Sequence, residues 1–334
     1  MKVGIPRGLF FYYYYPLWKT FFNDLGAEVI VSRETCRFTM DQGIEMSVDE
    51  ICLPVKVYFG HVRELCGQKL DYLFAPRLVS VEPKAYICPK FMGIPDMLAA
   101  CIKGLPPLID ITVDVSKTNK YLQRDIERIG ALFNCSKRQA ERAFAHGRFE
   151  NYRCLKIAQQ GYTMAEAIRI WEGQERPVSQ KGDLNICVLG HGYSLYDDHI
   201  SMNLISRLRN MGCNIHMVET FAADEIEKEA AHMPKRVFWT LGRKLVGTAL
   251  HMEKRPEIDG IVYLACFGCG PDSLIGEIIE RRVQNKPFML VTVDEHTGEG
   301  GVLTRLEAFC DMLRRRRMQD EGNLSPHGEC LYSH

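Results

Sequence analysis

The sequence predicts an α/β protein of two parallel-sheet domains joined by a helical segment. Three observations predict it. Strand-like and helix-like runs alternate through residues 1–114; residues 115–175 lack proline and are rich in Ala, Arg, Glu, Gln and Leu; the alternation resumes at residue 183. Repeated βα alternation of this length argues for a parallel sheet covered on both faces. The expected organisation is therefore a domain over 1–114, a helical connection over 115–175, a second domain over 183–316 and a disordered tail over 317–334.

In the first domain, residues 2–5 read as a strand, followed by a Pro6-Arg7-Gly8 loop. Residues 12–25 form an amphipathic helix candidate closed by Gly26, and residues 28–32 are β-branched and strand-like. A helix is predicted over 55–66, a strand over 72–75 ended by Pro76, and a short apolar run over 86–88. A helix over 95–102 and a strand over 107–111 complete the domain. In the connection, helices fit 117–133, 136–160 and 163–172. Ser136 with Gln139, and Thr163 with Glu166, each carry the reciprocal N-terminal capping signature. The polar stretch 173–182, with Pro177, reads as a linker.

In the second domain, a strand over 185–189 leads into a Gly190-His191-Gly192 loop and a helix over 198–211. Strands follow at 214–218, 258–265 and 287–293, with helices at 236–252, 271–283 and 301–314. Pro271 suits the first turn of its helix.

Composition narrows the class of function. The chain has 334 residues, 46% hydrophobic and 25% charged, with 42 basic and 42 acidic residues and no formal net charge. That balance argues against a nucleic-acid surface. The basic run 314–317 reads as a solvated helix end, where positive charge suits the dipole. The N-terminus does not read as a signal peptide, and no segment offers the roughly 20 apolar residues of a membrane span. A cytoplasmic protein is the expectation. Thirteen cysteines in that compartment point to thiol or metal chemistry before disulfides. Cys36, Cys66, Cys101, Cys135, Cys154, Cys187, Cys213, Cys310 and Cys330 are expected to be apolar fillers.

Three segments set a cysteine beside proline or glycine at the end of a predicted element. They are Asp49-Glu50-Ile51-Cys52-Leu53-Pro54, Ile87-Cys88-Pro89-Lys90 and Cys266-Phe267-Gly268-Cys269-Gly270-Pro271. Iron–sulfur clusters are held by cysteine thiolates. Each ligand then leaves an irregular turn, where free N–H groups stabilise an anionic cluster. From spacing alone, Cys266 and Cys269 are compatible with zinc, a redox disulfide or neither; a zinc site would want a second pair or histidines at matching spacing, and the sequence offers none.

The same segments carry a resemblance. Gly4-Ile5-Pro6-Arg7-Gly8-Leu9, the aromatic run from Tyr12 to Phe22, the Cys52 segment through Lys56, Pro76-Arg77-Leu78-Val79-Ser80, Cys88-Pro89-Lys90-Phe91 and Pro95-Asp96 open it. Phe267-Gly268-Cys269-Gly270-Pro271-Asp272, Asp294-Glu295-His296-Thr297-Gly298-Glu299 and Thr304-Arg305-Leu306-Glu307-Ala308-Phe309 close it. Together they resemble the acyl-CoA dehydratase activase-related proteins, distant relatives of 2-hydroxyacyl-CoA dehydratase subunits and double-cubane cluster proteins. The resemblance implies Rossmann-like units around an oxygen-sensitive iron–sulfur cluster, [4Fe–4S] or a double cubane. It makes Cys52, Cys88 and Cys269 the metal ligands and Cys266 an additional cofactor-binding residue. It also implies low-potential electrons received from a separate ATP-hydrolysing activase of the sugar-kinase/actin type, and pairing with a similar subunit or a second copy. A reductase or dehydratase-like component, a non-catalytic cluster carrier and a zinc or thiol-redox protein all remain open.

Other residues invite roles of their own. Glu295, His296 and Glu299 follow a predicted strand, where open α/β sheets bind ligands, so they are candidate catalytic groups; a glycine-rich turn is the alternative. Tyr12 to Tyr15 suit a gate or plain packing. His191, Asp197, Asp198 and His199 suit a metal, or a shaped loop and a helix cap. Lys56 and Lys90 flank two of the cysteines and suit offsetting of cluster charge, or a plain surface role.

Overall fold

The computed structural model describes residues 1–116, 120–177 and 181–322. Its first strand, β1 (Lys2–Ile5), buries Val3 and Ile5. The helix α1 (Phe11–Asp24) returns over the sheet with Trp18, Phe21 and Phe22 buried. Gly26 ends it at φ +82°, a conformation that a Cβ disfavours. β2 (Glu28–Val31) then pairs in parallel with β1. Two helices follow where the sequence predicts one, α2 (Arg37–Met46) and α3 (Leu53–Cys66). Only Thr39, Met40 and Gly43 of α2 are buried, too few for a readable apolar stripe. The two helices cross at glycines. A Cβ on Gly43 would lie 1.9 Å from the Lys56 carbonyl oxygen, and one on Gly60 1.9 Å from that of Thr39.

β3 (Tyr72–Phe74) and β4 (Arg77–Ser80) flank Pro76. The chain continues through α4 (Pro89–Cys101), β5 (Leu108–Ile109) and β6 (Thr112–Asp114). The main sheet runs β2-β1-β3-β5, all parallel, and β4 pairs with β6 in a small sheet beside it. The single strands expected at 72–75 and 107–111 are therefore each followed by a second one. α4 starts at Pro89, not Pro95, because a proline at the first helical position has no bond to lose; Pro95 lies within the helix.

α5 (Lys120–Leu132), α6 (Lys137–Ala158) and α7 (Met164–Trp171) form the helical segment. Both expected capping boxes are present, at Ser136/Gln139 and Thr163/Glu166. The segment packs on α1: a Cβ on Gly147 would come within 2.5 Å of the Leu17 carbonyl oxygen, and the Phe144 ring lies 5.9 Å from Trp18.

The second half contains β7 (Leu184–Gly190), α8 (Gly192–Leu195), α9 (Leu204–Asn210) and β8 (Cys213–His216). After a 3₁₀ turn come α10 (Ala223–Ala230), α11 (Thr240–Glu253), β9 (Gly260–Cys266), α12 (Gly270–Arg282), β10 (Phe288–Val293) and α13 (Glu299–Gly322). The parallel sheet runs β10-β9-β7-β8, and every residue of β9 is buried, as expected of a strand covered on both faces. The helix expected at 198–211 shrinks to α9, because Met202 and Asn203 take left-handed φ of 54° and 57°. The helix expected at 236–252 begins at Thr240, and α10 is new. Residues 317–322, expected as tail, are helical; residues 323–334 lie outside the described residues. Nor is the basic run simply solvated. Arg314 bonds both Asp183 oxygens at 2.8 and 3.1 Å, and Arg317 reaches the Asp183 carbonyl at 2.6 Å.

The two sheets are joined by a continuous core containing Tyr12, Phe59, Ile186, Tyr196, Leu264 and Cys269. Tyr86 forms a parallel bridge to Trp239, and buried Arg243 bonds Glu82 at 2.6 Å across the seam. The Gly192 N–H donates to the Tyr13 hydroxyl at 2.7 Å. No helix among the described residues is long and apolar enough to cross a membrane.

Candidate functional site: three helix N-termini facing a histidine–aspartate pair

Cys52, Cys88 and Cys269 occupy equivalent positions: they are the N-cap residues of α3, α4 and α12. Each helix has proline in its first two positions, Pro54, Pro89 and Pro271. The local sequence explains this. Cysteine is a poor cap, and proline starts a helix without needing its own N–H. No cysteine side chain is used for capping in the ordinary way. The first-turn N–H groups of Val55, Lys90 and Asp272 nevertheless lie near enough to the sulfurs of Cys52, Cys88 and Cys269 to favour their thiolates, although the Val55 N–H itself bonds the Cys52 carbonyl at 3.0 Å. These N–H groups carry the positive end of the helix dipole.

The Cys52 and Cys269 thiols hydrogen-bond each other, and Cys88 is close enough to Cys52 for their charges to interact. The bond to Cys269 draws the Cys52 thiol down to about 6, with the Lys90 ammonium and the Val55 N–H acting in the same sense against burial. The same bond, together with burial, holds Cys269 up. Burial also raises Cys88. Cys52 and Cys269 are buried and Cys88 is half-buried. Gly268 takes φ +72°, and a Cβ there would lie 4.0 Å from the Cys52 Cα, so the 266–269 turn runs beside the start of α3.

Cys266 faces elsewhere. It is fully buried, its Sγ lies 3.3 Å from Ser194 Oγ, and its N–H donates to Asp272. The described cysteines are all free thiols. Cys154, Cys187, Cys213 and Cys310 are buried as expected, but Cys101 is exposed and Cys36, Cys66 and Cys135 are half-buried; Cys330 lies outside the described residues.

The residue undervalued by sequence is His191. It ends the loop after β7, at the carboxyl edge where the strand order reverses between β7 and β9, the place where open α/β sheets hold ligands. Its Nδ1 bonds Asp272 Oδ1 at 2.5 Å, and its ring stacks on Tyr193 at 5.0 Å. His191, Cys269 and Asp272 offer ligand atoms within 4.8 Å of one another. Asp272 also accepts from Tyr263 at 3.1 Å and from the Cys266 N–H at 3.1 Å. Although burial opposes it, the pairing with His191 and these bonds hold the carboxyl below its usual range. His191 and Asp272 are 81 positions apart, so no local signal joins them.

The other candidates separate. Glu295 pairs with buried Lys56 at 2.5 Å, one turn beyond Cys52. Glu299 pairs with Arg207, and His296 is exposed. The three do not converge on one point. Asp197 caps the His199 and Ile200 N–H groups at 3.1 Å and accepts from Thr35, which lies 3.0 Å from His61 Nε2. Asp198 is exposed as a residue, though partial desolvation still raises its carboxyl; His199 is lowered by burial and by Arg37. Tyr12 to Tyr15 pack between α1 and its neighbours, with Tyr15 donating to Glu172 at 2.8 Å.

The fold and the site together define a class: an α/β protein with two like-ordered parallel sheets and a thiol-lined crevice at their joint. Residues 2–221 match the family described as the CoA enzyme activase uncharacterised domain, and the chain belongs to that family. The match includes Cys52, Cys88 and His191, while Cys269 lies beyond it. No curated protein matches the chain.

Proposed function

We propose that the chain holds an iron–sulfur cluster between its two sheets and carries low-potential electrons. One observation carries this reading: the N-cap cysteines of three different helices gather at one joint, Cys52 paired with Cys269 and Cys88 within charge range of Cys52, each with a first-turn N–H nearby. The donor set fits the group. Thiolates are the ligands such clusters take, and helix N-termini with the Lys90 ammonium offset their negative charge. Cys52, Cys88 and Cys269 would hold the cluster. Cys266, turned toward Ser194, is an additional cysteine close behind them. This small number of thiols favours a single [4Fe–4S] cluster over a double cubane.

When bound, the cluster supplies one-electron chemistry. The chain's own residues set its surroundings. Val55, Lys90 and Asp272 place N–H groups near the sulfurs, and Lys56, held by Glu295, keeps a second ammonium near α3. Phe267, 69% exposed beside Cys269, offers an apolar contact for an electron donor. We assign that role to a separate ATP-hydrolysing activase. Glu295, His296 and Glu299 remain the proposed groups for contact with a substrate.

A second reading has an observation of its own. The direct contact of the Cys52 and Cys269 thiols also suits a mononuclear zinc site or a redox pair. Anaerobic purification followed by iron, acid-labile sulfide and zinc analysis separates them. The cluster reading expects a brown protein with about four irons and about four sulfides per chain. Zinc alone, or no metal, removes it. ATP-dependent turnover of a small molecule with an activase would make the chain catalytic; intact transfer of the cluster to another protein would make it a carrier.

A further inference from the structure

Three thiolates leave one position of a four-iron cluster without a cysteine, and the structure brings a fourth donor to the same place. His191 is 3% exposed, so its ring is committed to the interior. Nδ1 is engaged by Asp272 at 2.5 Å, and among the described residues no hydrogen bond uses Nε2. A neutral imidazole that donates through Nδ1 carries its lone pair on Nε2. Metal-bound histidines are oriented in this way, by a carboxylate on the other ring nitrogen.

Asp272 itself is spent. One oxygen takes His191 and the Tyr263 hydroxyl, and the other takes the Cys266 N–H. It is therefore an orienting group and not a donor to a metal. Its backbone N–H reaches Cys269 while its side chain reaches His191, so one residue sets both positions. The ring plane is fixed by Tyr193, stacked within 6°. His191 borders a cavity of about 10 Å³ with Cys88, Phe91 and Pro271. It thus has a ligand atom within 4.8 Å of the Cys269 sulfur and shares a cavity wall with Cys88.

We propose that His191 is the fourth protein ligand of the site, through Nε2, with Asp272 as its positioning residue. The inference rests on the cluster reading above. A neutral imidazole in place of a fourth thiolate leaves the site one negative charge lower and easier to reduce, as histidine ligation raises the potential of other iron–sulfur centres.

The test is pulsed electron paramagnetic resonance on reduced protein carrying ¹⁵N-histidine, purified anaerobically as the full chain. The expected result is a directly bound ¹⁵N coupling in the unaltered protein. It should be lost in His191→Ala with iron and sulfide retained. His191→Cys should keep the cluster without the coupling and shift its midpoint potential downward. Asp272→Asn should change the coupling while three thiols still hold the iron. A protein with full iron and sulfide but no nitrogen coupling overturns this inference alone. A protein without iron and sulfide overturns the cluster reading and this inference with it. The decisive spectrum is taken on the unaltered chain, so the test stands even where a variant fails to fold.

Discussion

The two halves of the molecule share one strand order and differ in what lies at its turning point. Counting only the strands of each main sheet in chain order, both run second, first, third, fourth. In the first half the carboxyl ends of β1 and β3 face an apolar cavity of about 50 Å³ among Leu9, Phe10, Tyr58, Phe74 and Phe91. In the second, the ends of β7 and β9 carry His191, Ser194, Cys266 and, through α12, Asp272. The first half has filled its crevice with aromatic rings and sends two cysteine-tipped helices across the joint. The second keeps a polar crevice. A like topology thus ends in aromatic packing in one copy and in polar side chains in the other, which is why fold alone does not assign function.

The largest expected effect breaks this division at its centre. Replacing Cys52, Cys88 and Cys269 together by serine should abolish iron binding while the circular dichroism spectrum stays that of a folded protein; retained iron would move the site elsewhere. Next, Gly43→Val should push α2 off α3, since its Cβ meets the Lys56 carbonyl oxygen at 1.9 Å. A loss of about 2–3 kcal/mol in denaturant unfolding is expected, with lower iron content because Cys52 caps the displaced helix. An equal stability with unchanged iron would show that support from the first half is dispensable.

The seam between the halves yields a pH prediction. Burial raises Asp197 to about 6, so its contribution is complete below about pH 4 and is lost as pH rises through 6. Burial, then Arg7, lowers His61 to about 3, so its contribution is complete above about pH 6.5 and is lost as pH falls toward 3. The two slopes oppose each other across Thr35. Asp197→Asn should therefore leave the His61 slope uncompensated, and stability should fall more steeply between pH 6 and pH 4, as read by urea midpoints. An unchanged slope would mean that the groups do not titrate as their burial requires. The smallest effect belongs to the surface: Glu299→Gln, which loses the Arg207 pair, should cost under about 1 kcal/mol. A larger loss would give that turn a structural weight its 60% exposed carboxylate does not suggest.

How far the chain could be read in advance follows from the range of the interactions. The capping boxes at Ser136 and Thr163 close over three residues, and both were legible. The prolines beside Cys52 and Cys269 marked helix starts for the same reason. Pro95 misled, because proline is tolerated inside α4 and Pro89 is the true beginning. α2 and α10 were missed: each buries few side chains and so leaves a weak pattern. Glu295 was legible as a loop acid after a strand, but its bond to Lys56 spans 239 positions and left no trace.

By itself the sequence determined the α/β class, the parallel sheets, most helix ends and which cysteines stand at element boundaries, since each depends on residues within a turn or two of one another. Only the tertiary structure decided which thiols meet, that Cys266 turns away toward Ser194, and that His191 is held by Asp272. Those outcomes depend on how two sheets pack across a shared core, and packing brings together side chains whose separation along the chain carries no periodic signal.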